Sequence, residues 1–251
     1  VTQTQREQSG CPECVHQTVM FYDGLGRGVH ARSEAQDGQQ VVFNTLYNAM
    51  GQVESDYLPA FESSTMDFSR PTGWEGRPHT TSIYDALGRT LQTTNPDGTY
   101  TQSIYDGWTT TSIDTNRHQR VYLNNALGQL VQVEEYTGTV ESDLALYATT
   151  QYDYDVLGNL TTVTDTTGLT TTMVYDDLGR KIEMIDPDMG YWQYDYDLIG
   201  NLTAQTDALG QTITFTYDDL NRLETRMHDG QILAQYHYGE DGHGYGEGRL
   251  T

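Results

Sequence analysis

Carboxylates dominate the chemistry this sequence offers. Of its 251 residues, 36 are Asp or Glu against 13 Lys or Arg, a formal net charge of −23. Paired carboxylates act as general acid and base in glycoside hydrolysis, but in so acidic a chain some pair at suitable separation arises by chance. Asp85, Asp176, Asp186, Asp207 and Asp218 each open a short run that ends on Gly or Asn. In such runs Asp hydrogen-bonds its own backbone and Gly accepts positive φ, so turn formation accounts for these residues without catalysis.

The remaining chemical candidates are sparse. His16, His30, His79, His118, His228, His237 and His243 follow no ligand spacing. His228, His237 and His243 gather near Glu240 and Asp241, where a weak metal site competes with a solvated Gly-rich turn over 239–248. The turn is the simpler reading. Cys11-Pro12-Glu13-Cys14 is half a zinc motif, and no second Cys or His pair follows it. A local disulfide or inert thiols fit better than a metal or redox centre. No nucleophile elbow, phosphate loop or zinc-protease motif is present. The expectation is therefore no catalytic residue, no metal and no cofactor. The acidic surface repels phosphate backbones, which argues against nucleic acid, and no apolar run is long enough to cross a membrane as a helix.

The Asp residues belong to a recurring phrase, Tyr-Asp-x-x-Gly, followed by a polar or basic residue and then mostly an apolar one. It reads Tyr22-Asp23 with Gly26, Tyr84-Asp85 with Gly88, Tyr154-Asp155 with Gly158 and Tyr175-Asp176 with Gly179. It continues as Tyr196-Asp197 with Gly200 and Tyr217-Asp218 with Asn221 in the glycine slot. Looser copies occur around Gly51 and Gly128, and Tyr105-Asp106 keeps only the opening. The last four glycine positions are 21 residues apart. A fixed period of that size predicts one stacked supersecondary unit whose neighbours, and not a central core, bury its apolar surface.

Each unit reads as a β-hairpin. Thr170–Tyr175 is rich in β-branched and aromatic residues, Asp176–Gly179 supplies a turn, and Arg180–Ile185 runs back. A second turn follows, at Asn95–Gly98, Asp165–Gly168, Asp186–Gly190 and Asp207–Gly210 in different copies. Asn221 is the non-glycine type that best tolerates left-handed backbone. Arg27, Arg89, Arg180, Arg222 and Arg249 follow the glycine slot and are read as cross-strand partners of the repeat's acids. Tyr152, Tyr154, Tyr175, Tyr194, Tyr196 and Tyr217 recur at strand ends, as an aromatic ladder or as an exposed row that stacks sugar rings.

Residues are 36% hydrophobic; with Tyr left out and Gly counted in, that is roughly 38%, below the about 45–50% of globular domains. Sheets wet on at least one face fit that shortage. The expected organisation is a connector over 1–20 and a hairpin array over 21–251, with an inserted loop at about 54–80. Because the chain starts Val1-Thr2 and stops mid-pattern, it is expected to be part of a longer protein.

These phrases, together with Asp207–Asp218 and the Tyr57-Leu58-Pro59-Ala60-Phe61 segment, resemble the YD-repeat, or Rhs, family of bacterial polymorphic toxins, insecticidal toxin-complex shells and teneurins. The resemblance covers about 21–251. It implies an all-β fold of repetitive β-hairpins forming an extended, curved spiral sheet. It further implies a non-catalytic shell segment that encloses a C-terminal toxin or effector of the same parent chain or a companion subunit, in a secreted or cell-surface bacterial protein. The family's autoproteolytic aspartates lie in a shell-end segment that nothing here matches. A cell-surface adhesion or carbohydrate-binding module is the alternative.

Overall fold

A computed structural model describes residues 2–6, 15–35, 39–63, 73–138 and 143–239. Cys11, Cys14, Glu240, Asp241, His243 and Arg249 lie outside the described residues. The chain divides into two compact units, residues 1–121 with 137–145 and residues 122–136 with 146–251. The strands are joined by tight turns. Among the described residues the one helical segment is a 3₁₀ turn at Trp74–Gly76.

In the first unit β1 (Thr2–Arg6), β2 (Val15–Tyr22), β3 (Gly28–Glu34), β4 (Gln39–Tyr47) and β5 (Val53–Ser63) pair in chain order, each antiparallel to the last. The ladder continues through β6 (His79–Tyr84), β7 (Thr90–Thr94), β8 (Tyr100–Asp106) and β9 (Thr109–Ile113). Much of the stretch set aside as a connector is thus strand. The region expected as an inserted loop runs as strand to Ser63 and rejoins the ladder at His79, while 64–72 lie outside the described residues. The reason is local: Tyr57, Leu58 and Phe61 have strand-forming side chains, and Pro59 falls between the two stretches of β5 that pair, with β4 slipping register there.

After β10 (Gln119–Asn124) and β11 (Leu130–Thr137), the second unit repeats one pattern. β12 (Ala145–Tyr154), β13 (Leu160–Thr164), β14 (Thr170–Tyr175), β15 (Lys181–Asp186) and β16 (Gly190–Tyr196) form a meander. β17 (Leu202–Thr206), β18 (Thr212–Tyr217), β19 (Leu223–His228) and β20 (Gln231–Gln235) extend it. Register slips by one residue beside each Tyr-Asp turn, between Asp153 and Tyr154, Val174 and Tyr175, Asp195 and Tyr196, and Thr216 and Tyr217. A turn that ends on a left-handed residue followed by such a bulge is a standard way to close a hairpin while keeping its right-handed twist.

Little of this sheet is covered. Among the described residues the buried apolar side chains are Val42, Tyr57 and Ile113, all in the first unit. In the second unit the strands alternate instead. Met173, Met184 and Trp192 oppose one another on one face, and Val174, Glu183 and Gln193 on the other. Both faces keep contact with water, as the low apolar fraction requires.

Positive φ fixes the residue type at the turn's last position. Gly200 sits at φ 99° with no neighbouring atom near the place of a Cβ, while Asn221 adopts φ 60° in the equivalent slot. Gly200→Ala is expected to lower stability by about 1 kcal/mol through backbone strain alone, and Gly200→Asn by distinctly less. Urea denaturation of the two variants beside the wild type measures both.

Candidate functional site: the repeated turn

The turn is built around one carboxylate. The Asp176 N–H donates to the Arg180 carbonyl at 3.0 Å and the Gly179 N–H to the Asp176 carbonyl at 2.9 Å. Oδ1 of Asp176 accepts from the N–H groups of Leu178 and Arg180 at 3.0 and 2.9 Å. Its Oδ2 takes Nε and a terminal nitrogen of Arg180, both at 2.6 Å. Asp23 with Arg27, Asp85 with Arg89 and Asp218 with Arg222 repeat the forked pair. Where Asn follows the glycine slot, its amide replaces the guanidinium: Asn159 donates to Asp155 and Asn201 to Asp197. Asn48 reverses the roles, accepting the backbone N–H groups of Met50 and Gln52 while its own amide donates to the Gln52 side chain. These ion pairs lie within one turn and are not the cross-strand pairs expected of the Arg residues.

The tyrosine that ends the strand before a turn reaches the preceding repeat. Tyr175 donates its hydroxyl to the Leu160 carbonyl, Tyr196 to Lys181, Tyr217 to Leu202 and Tyr238 to Leu223, at 2.8–2.9 Å and always across 15 residues. Tyr47, Tyr84 and Tyr154 make the same bond to Gly28, Val53 and Leu130. In every case the acceptor is the second residue after the preceding turn's glycine slot. Tyr105, which keeps only the opening of the phrase, bonds the Thr90 carbonyl at 3.2 Å. Tyr22 contacts Met20 Sδ instead.

The residue after the glycine slot also faces forward. Arg27, Arg89, Arg180 and Arg222 lie 4.2–4.9 Å from the ring centres of Tyr47, Tyr105, Tyr196 and Tyr238. Arg180 additionally donates to the Asp197 carbonyl, and Gln52 to that of Gly88. A Cβ on Gly88 would stand 3.0 Å from Gln52, so this glycine also leaves room for its neighbour's side chain. The tyrosines therefore form a ladder of backbone ties capped by cations, not a row of stacked rings.

The second turns share this architecture. Asn95, Asp114, Asp165 and Asp207 each donate their N–H four residues on and accept back from the third. Asp114 was missed in the sequence because its left-handed position holds Arg117, at φ 69°, where no Gly or Asn marks it. Asp186 accepts from the N–H groups of Asp188 and Met189 and from the Thr171 hydroxyl.

These contacts suit a scaffold. Hydrogen bonds from the Arg180 side chain and then its backbone hold Asp176 below the ordinary carboxylate value, Arg222 does the same for Asp218, and Asn159 for Asp155. Partial burial raises Tyr175, Tyr196 and Tyr217 above the usual phenol value and keeps them hydrogen-bond donors. A general acid requires the opposite shift in a carboxylate. Among the described residues no three His, Cys, Asp or Glu side chains gather as metal ligands, and no helix is long and apolar enough to cross a membrane.

Residues 154–188 and 196–231 match the RHS Repeat family, and residues 1–107 match a Domain of unknown function (DUF6443). No curated protein matches the chain. The fold is shared with a TcdB2-TccC3 crystal structure, at TM-score 0.77 and 18% identity over 100% of this chain. TcdB2-TccC3 without its hypervariable C-terminal region gives 0.76 and 19% over 94%, and the Photorhabdus luminescens Tc holotoxin pore 0.74 and 19% over 94%. The chain spans only 14–15% of the length of those structures. Residues 154–188 and 196–231 are thus RHS repeats, and the chain as a whole has the fold of those structures.

Two outcomes follow from the turn. Tyr175→Phe deletes the tie to the Leu160 carbonyl and is expected to cost about 1 kcal/mol, read from denaturant midpoints. Because Asp23, Asp85, Asp155, Asp176, Asp197 and Asp218 titrate lower when folded than the unfolded value near about 3.9, their stabilisation is complete above that pH and is lost as pH falls through the folded values. Stability is therefore expected to be flat from neutral pH down to about 5 and to fall steeply below about 4, with a shallower fall in an Asp176→Asn, Asp218→Asn variant. Circular dichroism against pH reads the slope.

Proposed function

We propose that this chain is a non-catalytic stretch of shell wall in a larger secreted bacterial protein, enclosing a toxin or effector supplied by the same parent chain or a companion subunit. The observation that carries this reading is the sheet itself: a repeated hairpin array, wet on both faces, whose turn carboxylates are each occupied in holding backbone. Its fold is shared with TccC3-containing structures, one of them described as lacking a hypervariable C-terminal region. Such a wall keeps a client from solvent by enclosure, without a specific site. An excess of 23 negative charges favours a basic or unfolded client over an acidic one. The turn residues, from Tyr22, Asp23 and Gly26 through Tyr217, Asp218 and Asn221, serve as structural punctuation in this reading.

The carbohydrate-binding alternative needs exposed ring faces. Tyr175, Tyr196 and Tyr217 are half-buried with their hydroxyls committed to backbone, so this repeated row does not offer free ring faces.

Limited proteolysis of the parent protein tests enclosure. The segment following the repeats is expected to resist protease while the repeats are intact, and to be cut rapidly once this stretch is deleted. Equal cleavage rates in the two proteins would refute it.

A further inference from the structure

The carboxylate of Asp207 differs from those of the other second turns. Asp114, Asp165 and Asp186 occupy both oxygens, the second with His118, Thr167 and Thr171. In Asp207, Oδ1 accepts the N–H groups of Leu209 and Gln211 at 2.9 Å, and among the described residues no donor reaches Oδ2. The cause lies in the repeat. Asp186 stands 21 residues before Asp207, and the residue 21 after its partner Thr171 is Trp192. Trp192 has no hydroxyl to offer, and its indole N–H goes to the Met189 carbonyl at 3.2 Å. Asp207 lines a cavity of about 160 Å³ in the second unit, together with Gln205, Gln211 and His228. Trp192, Ile213 and Leu233 form its apolar wall. Register assembles it: Gln205 stands opposite Tyr194 and Ile213, and Ile213 opposite His228, on the Trp192 face of the sheet. Among the described residues the amides of Gln205 and Gln211 have no partner. Nδ1 of His228 lies 3.0 Å from the Thr212 carbonyl, so in the neutral ring it carries the proton and Nε2 is an acceptor.

We propose that this cavity binds a primary ammonium group carried on a short apolar stem. Its wall holds one carboxylate with a spare oxygen, acceptors on His228 and both amides, and no Lys or Arg. A cation with N–H donors satisfies that set through charge-assisted hydrogen bonds. A neutral hydroxylated ligand leaves the charge uncompensated. A guanidinium is recognised by two parallel bonds to one carboxylate, and Asp207 has a single oxygen to give. A quaternary ammonium brings no N–H to the acceptors. The indole of Trp192 supplies a ring for cation–π contact, and Ile213 and Leu233 receive the stem. Tyr194, whose ring stacks with that of Trp192 at 6.4 Å, already carries a cation on the same face: Nζ of Lys181 lies 4.9 Å from its centre. Lys181 is the only lysine in the sequence, so the ammonium is supplied from elsewhere. Its source is a free alkylamine or a lysine side chain of another polypeptide. The inference does not rest on enclosure of a client.

NMR titration of the chain at physiological salt, with n-butylamine and separately with Nα-acetyl-lysine N-methylamide, tests it. Expected are saturable shifts centred on the Trp192 indole N–H and the side-chain amides of Gln205 and Gln211, and none with n-butanol. Binding of the blocked lysine as well as the amine assigns the site to polypeptide lysines, and binding of n-butylamine alone to free amines; both support the ammonium reading. Asp207→Asn should weaken binding at least about tenfold. The turn accepts this change, because Asn95 makes the same backbone hydrogen bonds in the equivalent slot. Trp192→Thr, which restores the arrangement of Thr171 and Asp186, should abolish binding. Circular dichroism checks that each variant folds, and either one suffices. Asp165→Asn, in an equivalent turn away from the cavity, should bind like the wild type, which separates the site from general attraction to an acidic surface. No localised shift with either amine, an equal response to n-butanol, or unchanged binding in folded Asp207→Asn or Trp192→Thr would overturn the proposal.

Discussion

The hydroxyl of one tyrosine, delivered to a carbonyl of the preceding repeat, is the interaction on which the rest of this sheet depends. A single layer with water on both faces has no core to hold strands in register. Strand pairing alone tolerates slippage, and a slip of one residue would exchange the two faces. The tie fixes the register from outside the ladder. The tyrosine ends one strand, the bulge beside it turns the ring toward the previous hairpin, and the hydroxyl finds a carbonyl just past that hairpin's turn. Each repeat is thereby located by its predecessor.

Within that constraint the turn divides its labour. Asp satisfies the turn's own N–H groups and leaves one carboxylate oxygen for the residue after the glycine slot. That residue, pinned at its base, extends forward over the next tyrosine, as Arg27, Arg89, Arg180 and Arg222 do. Stability in such an array is a sum of hairpin and neighbour terms, so damage at one turn propagates to the adjoining repeat and fades beyond it.

The parts of this arrangement visible in the sequence were those that need particular side chains. Asp, Gly and the period of 21 marked the turns, and Asn221 stood where left-handed backbone is required. The tie itself was illegible, because its acceptors are main-chain carbonyls. Leu160, Lys181, Leu202, Thr90 and Gly28 serve equally, and their side chains carry no signal. Arg117 was hidden for a related reason: arginine has no preference for the conformation it adopts there. The forward contact of Arg on Tyr was recoverable in principle, since Arg89, Arg180 and Arg222 each precede their tyrosine by 16 residues. The strand at Val53–Ser63 was obscured by Pro59, which this ladder accommodates at a break in pairing.

The same accounting bears on why so many acids do no acid chemistry. A catalytic carboxylate needs a spare lone pair and a proton affinity brought close to the working pH, and both come from leaving it partly unsatisfied in a poorly hydrated place. Here the carboxylates of Asp23, Asp85, Asp155, Asp176, Asp197 and Asp218 are half-buried and spend both oxygens on fixed donors, which lowers their proton affinity. Freeing one for reaction would undo the turn that positions it. A repeat of this design is committed to shape, and the two faces it separates differ in chemistry, the Met173, Met184 and Trp192 side against the Glu183 and Gln193 side.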